Sequence, residues 1–269
     1  MARMPSNHVL PTGEILRKLF SFGYFGTKTW AQARQTKGAE LTRAIREYQR
    51  FHGLDPDGRV DETTAHVLER RRCGLPDFNF TASDTVCKWP HKAITYHPKL
   101  VLPGINAEQA KQAYDIAFGQ WARVCNIEPE YVEDPKKANI LARSGKGKKS
   151  GLDARGGTLA WSELPCGVHE NIQLDQVYDE AEAWSFNMAV AVICHELGHA
   201  LGLPHLANGN LMAPYYDPNV TEPQEGDIRE IQDLYGKRKV PYSKLKDASI
   251  ELGGTITING KPYVLVPKT

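Results

Sequence analysis

The 269-residue sequence carries a formal net charge of +1, with 41% hydrophobic and 24% charged residues, the proportions of an ordinary soluble globular protein. That near-neutral balance provides no global field for nucleic acid or an anionic membrane surface, and no apolar run is long enough to span a bilayer. The length has room for one medium catalytic domain and a smaller module.

Residues 1–11 lack the basic-then-apolar layout of a secretory signal. Within 14–20 the apolar positions Ile15, Leu16, Leu19 and Phe20 fall near one helical face. The pattern returns over 39–51 through Leu41, Ile45, Tyr48 and Phe51, and Gly53 supplies a stop. Asp55-Pro56-Asp57-Gly58 is a turn, because proline presets φ and glycine accepts a positive one. A third helix is expected after Asp61, through Ala65, Val67 and Leu68.

From Cys73 the character changes. Cys73-Gly74-Leu75-Pro76-Asp77 reads as a stiff, non-helical segment. Strand candidates follow at 93–96, 138–141, 157–161 and 172–174, with a Gly/Lys-rich loop over 143–151. Long helices are expected at 107–124 and 187–201, and a last one at 227–235. Strands interleaved with long helices indicate an α/β or α+β catalytic domain. After Gly236 the chain turns basic, and Asn259-Gly260 between alternating apolar runs signals a hairpin that packs on the body as an appendage.

Five cysteines, Cys73, Cys87, Cys125, Cys166 and Cys194, leave at least one free thiol. Cys87, Cys125 and Cys166 leave a disulfide open that spacing does not assign. Cys194 points about 100° away from His195 on a helix, which favours a buried structural thiol over a metal ligand. His52, His66, His91, His97 and His169 lack ligand spacing and take ordinary surface or hydrogen-bonded roles by default. The segment 144–150 misses the spacing of a phosphate loop and reads as a solvated basic loop.

His195-Glu196-Leu197-Gly198-His199 fits the H-E-x-x-H pattern. On a helix, residues four apart share a face, so both imidazoles reach one ion while Glu196 sits beside it without ligating. Gly202 falls where the helix must end, Leu203-Pro204 turns the chain back, and His205 arrives as a third nitrogen ligand. Three protein ligands with a fourth position left to water are the layout of a catalytic zinc. The chemistry this implies is amide hydrolysis without a covalent intermediate, with Glu196 as general base.

The stretch from His195 to His205 resembles the extended zinc signature of the metzincins, and Leu211-Met212-Ala213-Pro214 resembles their Met-turn, with Met212 beneath the metal. The closer resemblance is to the matrixins, the matrix metalloproteinase family. Arg72-Cys73-Gly74-Leu75-Pro76-Asp77 is similar to their cysteine switch, in which a propeptide thiolate takes the fourth zinc position. That resemblance implies that Cys73 is the inhibitory ligand, with Arg72 and Asp77 pairing to brace the loop. The family's usual leading proline is Arg71 here. Residues 41–54, with Gly58-Arg59-Val60-Asp61 and Thr64, resemble the helical peptidoglycan-binding-like fold of matrixin propeptides. Gly156-Gly157-Thr158-Leu159-Ala160 resembles the edge strand along which family substrates lie extended, and Tyr216 stands at a pocket-wall tyrosine. Residues 227–236 resemble the helix that closes the domain.

The resemblance covers roughly residues 12–236 and implies an α+β architecture. A metzincin (zincin-like) domain with a twisted, mainly parallel sheet and long helices follows a small three-helix peptidoglycan-binding-like domain. The expected divisions are 1–72 for the helical propeptide, 73–84 for the switch and linker, 85–238 for the peptidase, and 239–269 for a basic linker and hairpin. One catalytic Zn2+ is expected. A second, structural zinc is not, because 146–148 replaces the family's first ligand pair, Trp161 stands at the next histidine and Gln173 near the last. No calcium-ligand set is convincing. The expected partner is a protein or peptide substrate, with peptidoglycan open through the N-terminal module, no nucleic acid and no membrane span, and a monomeric state. Secretion is implied by the resemblance. The rival readings are a peptidoglycan-binding protein and a hydrolase of cell-wall peptide cross-links.

Overall fold

The computed structural model describes residues 10–78, 87–153, 155–166, 172–239, 242, 249–251, 255–258 and 261–264. The chain begins with helices α1 (Thr12–Ser21), α2 (Trp30–Ala33), α3 (Gly38–Phe51) and α4 (Glu62–Leu68). α4 starts at Asp61, whose carboxylate accepts from the Thr64 N–H at 2.8 Å, a capping bond that satisfies one orphan donor of the first turn. The apolar faces of α1, α3 and α4 meet in a core of their own around Leu19, Ala44, Tyr48, Ala65 and Leu68. Three helices were expected here. The short α2 is additional, held by reciprocal bonds of Thr29 and Gln32 that a four-residue span hides from any periodicity test.

The strands are β1 (Arg72–Cys73), β2 (Ala93–Lys99), β3 (Glu128–Tyr131), β4 (Ile140–Gly145), β5 (Thr158–Ser162) and β6 (Leu174–Asp179). They form one six-stranded sheet in the order β1-β5-β6-β4-β2-β3. Every pairing is parallel except β5 with β6. β3 escapes the sequence pattern because its burial is exposed, buried, exposed, exposed, with too few apolar side chains to alternate. β4 and β6 run further than expected, into the Gly/Lys-rich loop and through Asp179, since parallel pairing from Ile140↔Leu174 to Gly145↔Asp179 continues past the apolar residues.

Two helices, α5 (Ala107–Val124) and α6 (Phe186–Ala200), pack against each other and the sheet. The Trp121 indole of α5 donates to the Cys194 carbonyl of α6 at 2.8 Å, and the Cys194 thiol lies 3.6 Å from the Ala117 carbonyl. Cys194 is thus a buried packing thiol. α6 is capped by Ser185, whose hydroxyl accepts from the Met188 N–H, and it is buried along nearly its whole length. It stops because Gly202 takes φ +108°, and a Cβ there would meet the Cys87 carbonyl at 1.9 Å. Cys87 is tied to Cys166 by a disulfide. α7 (Glu225–Tyr235) closes the unit, with Ile231 in the core. At the C-terminus β7 (Ser249–Glu251), β8 (Thr255–Ile258) and β9 (Lys261–Val264) pair antiparallel, with Ile258 opposite Lys261. The Asn259-Gly260 turn and the packing of this appendage lie outside the described residues, as does His169.

Candidate metal centre

α6 carries His195, Glu196 and His199 into a site that is almost dry: each side chain is buried, and so is His205 beyond the helix end. A buried imidazole needs partners for both ring nitrogens. His195 Nδ1 lies 2.7 Å from the Leu211 carbonyl and His199 Nδ1 2.7 Å from the Leu203 carbonyl. A carbonyl only accepts, so Nδ1 carries the proton in both rings and Nε2 is left with a lone pair.

Those lone pairs have no protein partner. The Nε2 atoms of His195, His199 and His205 are all buried without a hydrogen bond. Together with the Cys73 sulfur they form a group whose ligand atoms lie within 4.8 Å of one another. Burial pushes the His195 ring down to about 3, helped by the neighbouring His205. His199 is held well below its ordinary range by burial and the two other rings, and burial lowers His205 against the opposing pull of Asp77. Neutral imidazoles with inward lone pairs and a soft sulfur are the donor set zinc takes in tetrahedral sites, so these residues fit that ion.

Glu196 stands next to this cluster, its Oε2 3.6 Å from the Cys73 sulfur. Burial pushes its carboxyl up to about 8, with the thiol contact opposing. Burial and the Glu196 charge push the Cys73 thiol well above its usual value. An ion bound at this cluster would reverse that balance, because a coordinated thiol is deprotonated.

The floor of the site is built by a turn. Met212 is fully buried, and a Cβ on Gly198 would come within 2.2 Å of its sulfur. The turn is fastened by Asp227 at the start of α7: its carboxylate accepts from the N–H groups of Leu211 at 2.7 Å, Met212 at 3.0 Å and Gln224 at 2.8 Å. Because the Leu211 carbonyl orients His195, this carboxylate acts on a cluster histidine through one residue of backbone. The sequence signal for it was available: Gln224 and Asp227 have the spacing of an N-cap and its third helical residue.

The segment 71–77 lies in the cleft between β5 and the stretch 214–216. β1 pairs parallel with β5, Arg72 against Thr158 and Cys73 against Ala160, with Gly74 N–H donating to the Ala160 carbonyl at 2.7 Å. On its other side Cys73 N–H donates to the Pro214 carbonyl at 2.9 Å and Tyr216 N–H to the Arg71 carbonyl at 3.2 Å. Arg72 is buried, stacks 3.8 Å over the Phe22 ring, donates to the Cys73 carbonyl and pairs with Asp77. Burial alone would raise the Asp77 carboxyl, but Arg72, His205 and His52 together hold it well below the carboxylate range. A cavity of about 210 Å³ opens beside the cluster, lined by Leu159, Val192, His195, Leu211, Tyr216 and Val220. Leu159, Ala160 and Tyr216 therefore stand along the cleft, Leu159 and Tyr216 in the cavity wall. Of the two roles expected for His52, surface or hydrogen-bonded, the surface one does not hold: the ring is buried and faces Asp77 at 3.3 Å. Nothing in the spacing around His52 could have indicated it, since its partner lies in another segment.

Two positions weighed for a second zinc are engaged elsewhere. The Trp161 indole donates to the Ser150 carbonyl at 2.7 Å, and the Gln173 amide donates to the carbonyls of Pro135 and Ala138.

A mainly parallel sheet with one antiparallel pairing, a long helix presenting two histidines, a third beyond its glycine stop and a methionine turn below define the metzincin class. Comparison with known proteins narrows this. The matrixin family model matches residues 88–236, and a peptidoglycan binding domain model matches residues 13–68. The chain belongs to the matrixin family. It is 31% identical over 216 residues to human matrix metalloproteinase-20, covering 76% of this chain and 44% of that protein. It is 32% identical over 227 residues to rat matrix metalloproteinase-16 (73% and 37%) and 30% identical over 226 residues to rat macrophage metalloelastase (80% and 48%). The chain thus spans less than half the length of these relatives.

Proposed function

We propose that this protein is a zinc-dependent endopeptidase held latent by its own N-terminal segment. The observation that carries the reading is the convergence of three neutral imidazoles, each with an unpartnered Nε2, beside a buried glutamate. His195, His199 and His205 would hold the ion, with Met212 beneath them, and zinc there would supply Lewis acidity and lower the pKa of a bound water to about 7. Glu196 would accept a proton from the attacking water and return it to the leaving amine. Leu159 and Ala160 on β5 offer main-chain groups to an extended peptide, while the cavity with Tyr216 in its wall receives an apolar side chain.

In the latent protein Cys73 occupies the fourth position, braced by Arg72 and Asp77, and β1 fills the cleft a substrate needs. Residues 1–72 are the propeptide, 73–84 the switch and linker, 85–238 the peptidase and 239–269 the appendage. The Cys87–Cys166 disulfide favours an oxidising, extracellular setting. No described helix is long and apolar enough to cross a membrane. A second reading draws on the peptidoglycan binding domain match over 13–68: the module tethers the enzyme to cell walls, or the hydrolase cuts wall peptides.

A digest of a peptide library and of purified peptidoglycan by the processed protein, with and without a zinc chelator, tests these. Chelator-sensitive cleavage of internal bonds in the library is expected. Cleavage that survives chelation refutes the zinc reading, and cleavage confined to peptidoglycan favours the second.

A further inference from the structure

The three histidines of the cluster are not oriented alike. His195 and His199 give their Nδ1 protons to main-chain carbonyls of the same unit, Leu211 and Leu203. The Nδ1 of His205 instead faces Asp77 Oδ1 at 3.2 Å, an ion-pair distance without the alignment of a hydrogen bond, and both side chains are fully buried. Asp77 belongs to the switch segment, four residues beyond Cys73.

The Asp77 carboxylate is itself held from the N-terminal helices. The Tyr24 hydroxyl donates to Oδ2 at 2.8 Å, His52 Nε2 lies 3.3 Å from the same oxygen, and the Arg72 guanidinium pairs with Oδ1. The Asp77 N–H donates to the Phe22 carbonyl at 2.9 Å. The contact is closed from the opposite side, where Asn208, three residues after His205, donates to the His52 carbonyl at 3.0 Å. A ligating imidazole needs an acceptor on its far nitrogen to fix the tautomer and ring plane, and a carboxylate there strengthens the ligand.

We propose that Asp77 is a positioning residue for the metal, acting through His205, so that the N-terminal segment grips the ion twice: by the Cys73 sulfur and by the carboxylate behind His205. Tyr24 and His52 keep that carboxylate in place. Removing the segment then weakens zinc binding by more than the loss of a sulfur ligand, because His205 loses the acceptor that fixes it. This inference rests on the latency reading, and the experiment separates the two.

Zinc affinity is measured on the full chain by competition with a chelating indicator, for the parent, Cys73→Ser and Cys73→Ser/Asp77→Asn. In parallel the His205 Nδ1 proton is followed by NMR in zinc-loaded, histidine-labelled protein. Without the thiol, Asp77→Asn is expected to raise the zinc Kd by about tenfold or more. It also moves the His205 Nδ1 proton upfield, while those of His195 and His199 stay. His52→Phe, which leaves the switch loop intact, is expected to shift both readouts in the same direction by less. An unchanged Kd in both variants overturns the inference. So does a weakened Kd with the His205 proton unmoved, since docking alone would then be lost. Cobalt-substituted parent, but not Cys73→Ser, shows sulfur-to-metal absorption if Cys73 is the fourth ligand. Absence of that band refutes the latency reading, while the thiol-free comparison still decides the role of Asp77.

Discussion

Asp227 offers the sharpest test of how the metal site is supported. Its carboxylate takes three main-chain N–H groups at 2.7, 3.0 and 2.8 Å, two of them from the turn below the cluster. Hydrogen bonds to a charged acceptor contribute about 1.5–3 kcal/mol each, and a buried donor left alone costs about 1–3 kcal/mol. The three share one carboxylate, so their losses do not add in full. Asp227→Ala should therefore destabilise the fold by about 3–4 kcal/mol, which at roughly 2–4 °C per kcal/mol lowers Tm by about 6–16 °C. Asp227→Asn keeps one good acceptor but turns an amide NH2 toward a donor, and falls between the two. The assay is calorimetric unfolding of the full chain, with zinc content measured on the same samples. Since Leu211 both donates to Asp227 and orients His195, Asp227→Ala should also lose zinc more readily. A Tm within about 2 °C of the parent, with zinc retention unchanged, would refute the claim that this carboxylate fastens the turn.

Three further outcomes are expected. Glu196→Ala should cut peptide turnover by at least 10²–10⁴-fold while zinc stays bound by mass spectrometry; unchanged turnover removes the assigned base. Cys73→Ser should be active without processing, and a variant as latent as the parent removes the switch. Gly198→Ala places a methyl 2.2 Å from the Met212 sulfur and 3.0 Å from the Trp121 ring. Overpacking of this kind costs about 1–3 kcal/mol, read as a lower denaturation midpoint; a neutral result would mean that Met212 is not pressed against the helix.

The convergence of the three histidines was legible because it is local in sequence. His195 and His199 share a helical face, Gly202 ends that helix, and His205 follows after one short bend, so spacing alone specified their convergence. The long helices were equally plain, since eighteen residues of α5 and fifteen of α6 average out irregularities in pattern. Elements too short or too polar to show a period were missed, namely α2, β1, β3 and β7. So was everything that depends on contacts between distant segments. The order of the sheet, the Cys87–Cys166 pairing and the burial of His52 against Asp77 follow from tertiary packing that no single stretch encodes. Asp227 lies between these cases: its capping position could be read, but its hold on the turn needed the structure.

The most direct measurement is X-ray absorption at the zinc edge of the zinc-loaded full chain and of Cys73→Ser. Three imidazole nitrogens and one sulfur at about 2.3 Å are expected in the parent, with a light atom in place of the sulfur in Cys73→Ser. A parent spectrum with fewer than three imidazoles, or with no sulfur, would contradict the account.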